Sequence, residues 1–116
     1  MPTNSTKILY YSDQKGSIPV KEFIDHLSDK QKTKILRLFL TIENYGLSSI
    51  IPHTKKLIGT PLWEIRILGK DNIRIMYVSQ QTESIVILHG FIKKDQKTPT
   101  KELNIALQRY YQLFDK

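Results

Sequence analysis

Two arginines, Arg66 and Arg74, and a lysine pair, Lys93 and Lys94, are the side chains of this sequence best suited to phosphate chemistry. They fall within one stretch, Trp63 to Lys94, reading WEIRILGKDNIRIMYVSQQTESIVILHGFIKK. In it Trp63, Ile65 and Ile67 alternate with Glu64, Arg66 and Leu68, and Ile73, Ile75 and Tyr77 alternate with Arg74, Met76 and Val78. That period of two belongs to half-buried strands. Burying both apolar sets on one side opposes Trp63 to Tyr77, Ile65 to Ile75 and Ile67 to Ile73, with LGKDN (68–72) as the loop, because a slip of one residue would turn every apolar side chain outward. Arg66 then stands opposite Arg74 on the other side. Like charges directly opposed destabilise a sheet, so the pair points to an anion lying between or beside two planar guanidinium forks. The alternative is a pair of solvated charges on an open face, with Glu64 pairing diagonally with one of them.

Other elements must hold this hairpin in place. KILYYS, Lys7 to Ser12, reads as a first strand, and DQKGS as a turn. Pro19 suits the first position of a helix whose apolar face is Val20, Phe23, Ile24 and Leu27. Ser28 and Gln31 form a capping-box pair for a second helix, with Ile35, Leu38, Phe39 and Ile42 on one face and Gly46 as its stop. LSSIIPHTKKLIGTP (47–61) is expected to be a loop anchored by Ile50, Ile51, Leu57 and Ile58, with Lys55 and Lys56 projecting. After the hairpin, SIVILHGFI (84–92) is an unbroken apolar run, as in a strand covered on both faces. KKDQK leads to Thr98 and Pro99, which open a last helix with Leu103, Ala106, Leu107, Tyr110 and Phe114 at helical spacing. The expected fold is a single α+β domain over 1–116, a curved antiparallel sheet with a partly open face, packed on an N-terminal helical hairpin and carrying a C-terminal helix.

A chain of 116 residues suits one domain. With 18 Lys and Arg against 11 Asp and Glu the formal net charge is +7, and the positive residues gather around the hairpin rather than along an amphipathic helix. That favours nucleic acid over a membrane surface as partner. There is no cysteine, and three scattered histidines make no metal cluster, so no metal or cofactor is implied. No signal-peptide core or long apolar span is present, and a cytoplasmic location is the expectation. P-loop, Rossmann, zinc-protease and serine-elbow motifs are absent.

The segments KKLIGTPLWEIRIL, NIRIMYV and ILHGFIKKDQKTPTKELNIALQR, in this order, resemble the RelE superfamily of toxins from bacterial toxin–antitoxin systems, and among them the phage-derived HigB-like branch. The resemblance extends over about residues 7 to 114. It implies a ribosome-dependent endoribonuclease that cuts mRNA without a metal, the ribose 2′-hydroxyl attacking the adjacent phosphate. It also implies a HigA-type helix-turn-helix antitoxin as cognate partner, with operator DNA contacted only through that antitoxin. Such chemistry needs in-line orientation, stabilisation of charge on the phosphate, and proton transfer at the attacking and leaving oxygens. By this resemblance Arg74 holds the phosphate and Lys94 neutralises the developing charge or assists the leaving oxygen. His89, the one histidine on an expected strand, would stand opposite Arg74 if residues 80 to 83 form a four-residue loop, making it a candidate general acid or base. The other reading of His89 is a core histidine bonded to backbone.

Lys55, Lys56, Arg66, Lys93 and Lys97 are assigned to RNA or ribosome contact, since a lysine near its ordinary pKa of ~10.4 is a poor base at neutral pH. Trp63 and Tyr77 are read as core rather than as platforms for bases. Some RelE relatives carry a tyrosine in or just before the last helix; DQKTPTKEL has none, so the residues leave the identity of the base open. A noncatalytic basic module that binds RNA, ribosome or antitoxin would need the same basic face.

Overall fold

A computed structural model describes residues 5–67, 69, 72–80, 83–94 and 99–114. The element order is β1 (Lys7–Tyr10), α1 (Pro19–Asp25), α2 (Asp29–Tyr45), a 3-10 segment (Leu47–His53), β2 (Thr54–Lys56), β3 (Trp63–Ile67), β4 (Ile73–Gln80), β5 (Ser84–Ile92) and α3 (Thr100–Phe114). The strands form one sheet in the order β1-β5-β4-β3-β2. The three consecutive strands β3, β4 and β5 are antiparallel as expected, whereas β1 runs parallel to β5, so the sheet is mixed. The α1–α2 hairpin between β1 and the rest carries the chain away before it returns, which is how two parallel neighbours are joined.

The helical hairpin follows its sequence signals. Pro19 opens α1, and Ser28 and Gln31 complete a reciprocal capping box at α2, Ser28 Oγ accepting from Gln31 N at 3.2 Å and Gln31 Oε1 accepting from Ser28 N at 2.9 Å. Gly46, at φ 84°, ends α2. The stretch expected to be a loop holds two elements instead, the 3-10 segment and β2, because Thr54–Lys56 extends the sheet edge against Trp63–Ile65.

Two cores sandwich the sheet. On one face Ile65, Ile67, Ile73, Ile75, Tyr77, Ile85 and Ile87 meet Val20, Ile24, Ile35, Phe39 and Ile42 of the helical hairpin. At Gly90 this packing leaves no room for a side chain: a Cβ there would lie 2.7 Å from the Phe23 ring. On the other face Met76, Val78, Val86, Leu88 and Phe91 lie with Leu57, Leu62 and Tyr11 under Ala106 of α3. The hairpin register is the one that burial dictates, Trp63↔Tyr77, Ile65↔Ile75, Arg66↔Arg74 and Ile67↔Ile73. Ile65 and Ile75 are fully buried and Ile73 is 1% exposed. At about 1.5–3 kcal/mol for each isoleucine kept from water, register outweighs an arginine–arginine repulsion of at most ~1 kcal/mol.

The second face is less open than the alternation of polar residues implies. Arg74 is only 8% exposed, and Arg66 is the one arginine of the pair that faces solvent. The expectation of an open face is therefore corrected at Arg74, which lies opposite Phe91 of β5 and beside the buried Glu64 of β3.

Candidate functional site: a half-buried basic cluster

Arg74 is held by its strand. It sits mid-sheet, opposite Arg66 on β3 and Phe91 on β5. Glu64, one pleat away on β3, supplies the diagonal partner: its Oε1 lies 3.5 Å from Arg74 Nε, with the Glu64 side chain 1% exposed. This is ion-pair range without hydrogen-bond geometry. Arg74 Nε is buried with no hydrogen-bond partner among the described residues, while one terminal nitrogen donates to the Ile73 carbonyl at 3.2 Å. Burial pushes the Arg74 pKa down, Glu64 pulls it up, and the Arg66 charge pushes it down again.

Lys93 joins this group. It follows β5 directly, its backbone N–H donates to the Asn72 carbonyl at 2.8 Å, and its side chain is 8% exposed. Its pKa is lowered, first by burial, then by the Arg74 charge, with Glu64 opposing and Lys55 and Arg66 adding to the fall. Lys55 stands opposite Glu64 on β2. Arg74 pairs with one buried carboxylate, and the charges of Lys55, Arg66 and Arg74 all act on Lys93. Among the described residues of this group Glu64 is the one carboxylate, and the buried Arg74 Nε has no hydrogen-bond acceptor there. A phosphate supplies both negative charge and an acceptor, and such an unsatisfied buried group is the kind of exception that calls for a ligand.

The remaining residues fall elsewhere. Lys56 is exposed; its Nζ donates to the Thr60 carbonyl at 2.7 Å and lies 5.6 Å from the centre of the Trp63 ring. Lys94 is exposed just beyond β5 and shares none of the contacts given for the cluster. Lys97 and the Thr98 cap lie outside the described residues. Tyr77 is core, 3% exposed, and burial pushes its phenol up to about 12; Trp63 packs against the same core.

His89 does not stand opposite Arg74. Gln80 pairs with Ser84, so the turn is one residue shorter than the arrangement that would oppose them, and a bulge between Met76 and Tyr77 leaves Leu88 without a partner. Two shifts of one residue keep His89 on Arg74's side of the sheet but set it opposite Met76, with its ring stacked on Phe91 at 5.6 Å. There α3 takes both ring nitrogens. Nε2 lies 2.7 Å from Glu102 Oε1, and Nδ1 lies 3.2 Å from an Arg109 nitrogen that also donates to the Leu88 carbonyl at 2.9 Å. The neutral tautomer with hydrogen on Nε2 satisfies both contacts. Its pKa is lowered, chiefly by burial, with the Glu102 hydrogen bond opposing and Arg109 adding to the fall. Among the described residues no group of three or more histidine, aspartate or glutamate side chains is placed to hold a metal ion, and no described helix is long and apolar enough to cross a membrane.

The model of the family described as "Phage derived protein Gp49-like (DUF891)" matches residues 22–111. The chain belongs to that family. The Gp49-like family is RelE- and toxin-like, and the fold is compatible with a RelE-like one. The matched span takes in the end of α1, all of α2, the strands β2 to β5 and most of α3, so every residue of the Arg74 cluster lies inside it. No curated protein matches the chain.

The structure also brings forward side chains that sequence reasoning passed over. Glu64 was visible only as a possible diagonal partner, and its burial comes from Leu57, Leu62 and Phe91 covering that face. His53, given no partner from sequence, lines a cleft with Lys34, Arg37, Thr41 and Arg66. The spacing of Lys34, Arg37 and Thr41 along one helical face was a signal that could have found it.

Proposed function

We propose that this Gp49-like protein is the toxin of a type II toxin–antitoxin pair, of the HigB-like branch, and that it cuts mRNA on the ribosome as a metal-independent endoribonuclease. The observation that carries the reading is Arg74, a nearly buried guanidinium with an orphaned donor in a group of cations.

In this mechanism the scissile phosphate accepts from Arg74, with Lys93 beside it and Arg66 and Lys55 at the solvent side. The 2′-oxygen attacks phosphorus, the bond to the 5′-oxygen breaks, and the products are a 2′,3′-cyclic phosphate and a 5′-hydroxyl. The proton lost from the 2′-hydroxyl and the one gained by the 5′-oxygen balance. Charge that builds on the phosphate oxygens falls among donors already fixed in place, which is worth several kcal/mol in a site closed to water. A dedicated base is not among the cluster's side chains, which supports dependence on ribosome-bound mRNA, where orientation is supplied from outside. The cognate partner is a HigA-type helix-turn-helix protein, with operator DNA reached through it, and the site of action is cytoplasmic.

A second reading is favoured by one specific observation: both nitrogens of His89 are engaged by α3, so the histidine expected to act as acid or base is committed to structure. On that reading the protein is a noncatalytic basic module that binds RNA or ribosome. Induction in a bacterial host with mapping of mRNA 5′ ends separates the two. Growth arrest with new 5′-hydroxyl ends inside coding regions supports the nuclease; arrest without such ends supports the binding module; harmless expression counts against both.

A further inference from the structure

The proposed site occupies one end of the sheet and leaves unused the cleft between α2 and the sheet edge. That cleft, about 290 Å³, is lined by Lys34, Arg37, Leu38, Thr41, His53, Arg66 and Ile67. Among the described residues that line it are three permanent cations, a histidine and a hydroxyl, beside the apolar Leu38 and Ile67. Its place follows from topology. β2 pairs with β3 no further than Thr54↔Ile65, so the strand end carrying Arg66 and Ile67 has α2 and His53 as its neighbours instead. On α2, Lys34, Arg37 and Thr41 follow at spacings of three and four residues, one helical face spanning about 10 Å.

Arg66 belongs to both places. It lines the cleft, and its charge lowers the pKa of Arg74 and of Lys93. A polyanion that reaches Arg74 can therefore continue over Arg66 into the cleft.

We infer that the cleft between α2 and β3 binds a second backbone phosphate of the same RNA strand, with Lys34, Arg37 and Arg66 as its cationic ligands; the Thr41 hydroxyl, which donates to the Arg37 carbonyl at 2.9 Å, is a neighbour rather than a donor. This rests on the reading of the Arg74 cluster as an RNA site and extends it into a path at least two phosphates long. The chemistry favours RNA over an acidic protein segment because the lining offers cations in a row over a narrow apolar floor. A sugar-phosphate strand matches that, whereas a folded partner needs a broader apolar patch.

The test uses the full-length protein, a 12-nucleotide 2′-O-methyl uridine oligomer that cannot be cut, and backbone amide shifts followed by NMR. The expected result is movement at both places, around Arg74 and Lys93 and around Lys34, Arg37 and Thr41. In the exposed-site variant Arg37→Glu the cleft shifts should be lost and the slope of log affinity against log salt should fall by about 0.7 for each phosphate contact removed. Shifts at the sheet alone, with an Arg37→Glu salt slope equal to the parent's, would overturn the inference and leave the Arg74 site standing. Shifts in the cleft alone would keep the inference about phosphate and remove the Arg74 site. If a polyglutamate peptide moves the cleft amides and the RNA does not, the cleft takes an acidic protein segment and the inference is wrong.

Discussion

Two charged groups sit on the same face of the sheet, and Phe91 lies between them, opposite Arg74 on one side and stacked on His89 on the other. In the His89 group donors meet acceptors: imidazole to Glu102, Arg109 to imidazole and to the Leu88 carbonyl. In the Arg74 group, Glu64 opposes the charges of both Arg74 and Lys93, and the Arg74 Nε has no hydrogen bond among the described residues. The difference teaches how to tell a structural polar cluster from a binding one. Saturation locks α3 to β5, whereas under-saturation leaves stabilisation to be gained only when an anion arrives. Burial alone does not separate them, since the Arg74 and His89 side chains are 10% and 12% exposed.

Arg74→Ala should break the comparison most sharply. Removing the guanidinium strands a carboxylate that is 1% exposed. For a fully buried pair that costs about 3–5 kcal/mol, and nearby Lys93 and Lys55 reduce the loss here, so a fall of roughly 1–3 kcal/mol in urea unfolding is expected. Cleavage should fall by a factor on the order of 10²–10³, the loss typical of one preorganised donor. The double variant Arg74→Met with Glu64→Gln removes both charges and should recover most of the stability while staying inactive. Were that variant to cut at the parental rate, Arg74 would be a structural residue like His89.

Lys93 and Lys94 sharpen the comparison at lower amplitude. They are neighbours in sequence, yet Lys93 is buried among the cations and Lys94 is exposed. Lys93→Met should lower mRNA cutting about tenfold, the weight of ~1.4 kcal/mol of lost transition-state binding, and reduce the salt slope of RNA binding by about 0.7. Lys94→Met should change cutting less than threefold, as a solvated charge does. Cleavage assays of the two variants side by side check this, and the reverse order would return the role to Lys94.

How much of this the sequence disclosed depends on which force fixed each feature. The hairpin register, the capping box at Ser28 and the β5 boundaries were legible because each is written in local spacing or in the burial of isoleucines, terms of several kcal/mol that nothing competes with. The parallel pairing of β1 and the short β2 were not, since a three- or four-residue strand carries no periodicity to read. Within the site, Arg66↔Arg74 followed from register. The burial of Arg74 did not, because it depends on which side chains the neighbouring strands set beside it, Phe91 from β5 and Glu64 from β3. His89 was misplaced by two one-residue events, a turn shorter by one residue and a bulge between Met76 and Tyr77, neither of which is marked in the sequence.

The smallest effect tests the saturated group. Burial holds the His89 pKa below its ordinary value, and the imidazole accepts at Nδ1 from Arg109, a contact that a protonated ring cannot keep. The unfolded chain therefore binds a proton more readily than the folded one. Above the unfolded pKa of ~6.5 neither state is charged at this position and it contributes nothing to the pH dependence. As pH falls below that value the unfolded state gains the proton first, and stability declines until the folded pKa is passed. His89→Gln, which keeps a side chain able to donate to Glu102 and accept from Arg109, should remove this part of the acid sensitivity. The check is chemical denaturation at pH 7.5 and pH 5, where the variant should lose less stability than the parent. Its rate of mRNA cutting at pH 7.5 should stay within about twofold, since a group that never touches the phosphate carries no transition-state binding. A variant that folds like the parent yet has lost cutting a hundredfold would move His89 out of the scaffold and into the chemistry, with the α3 contacts serving to orient its ring.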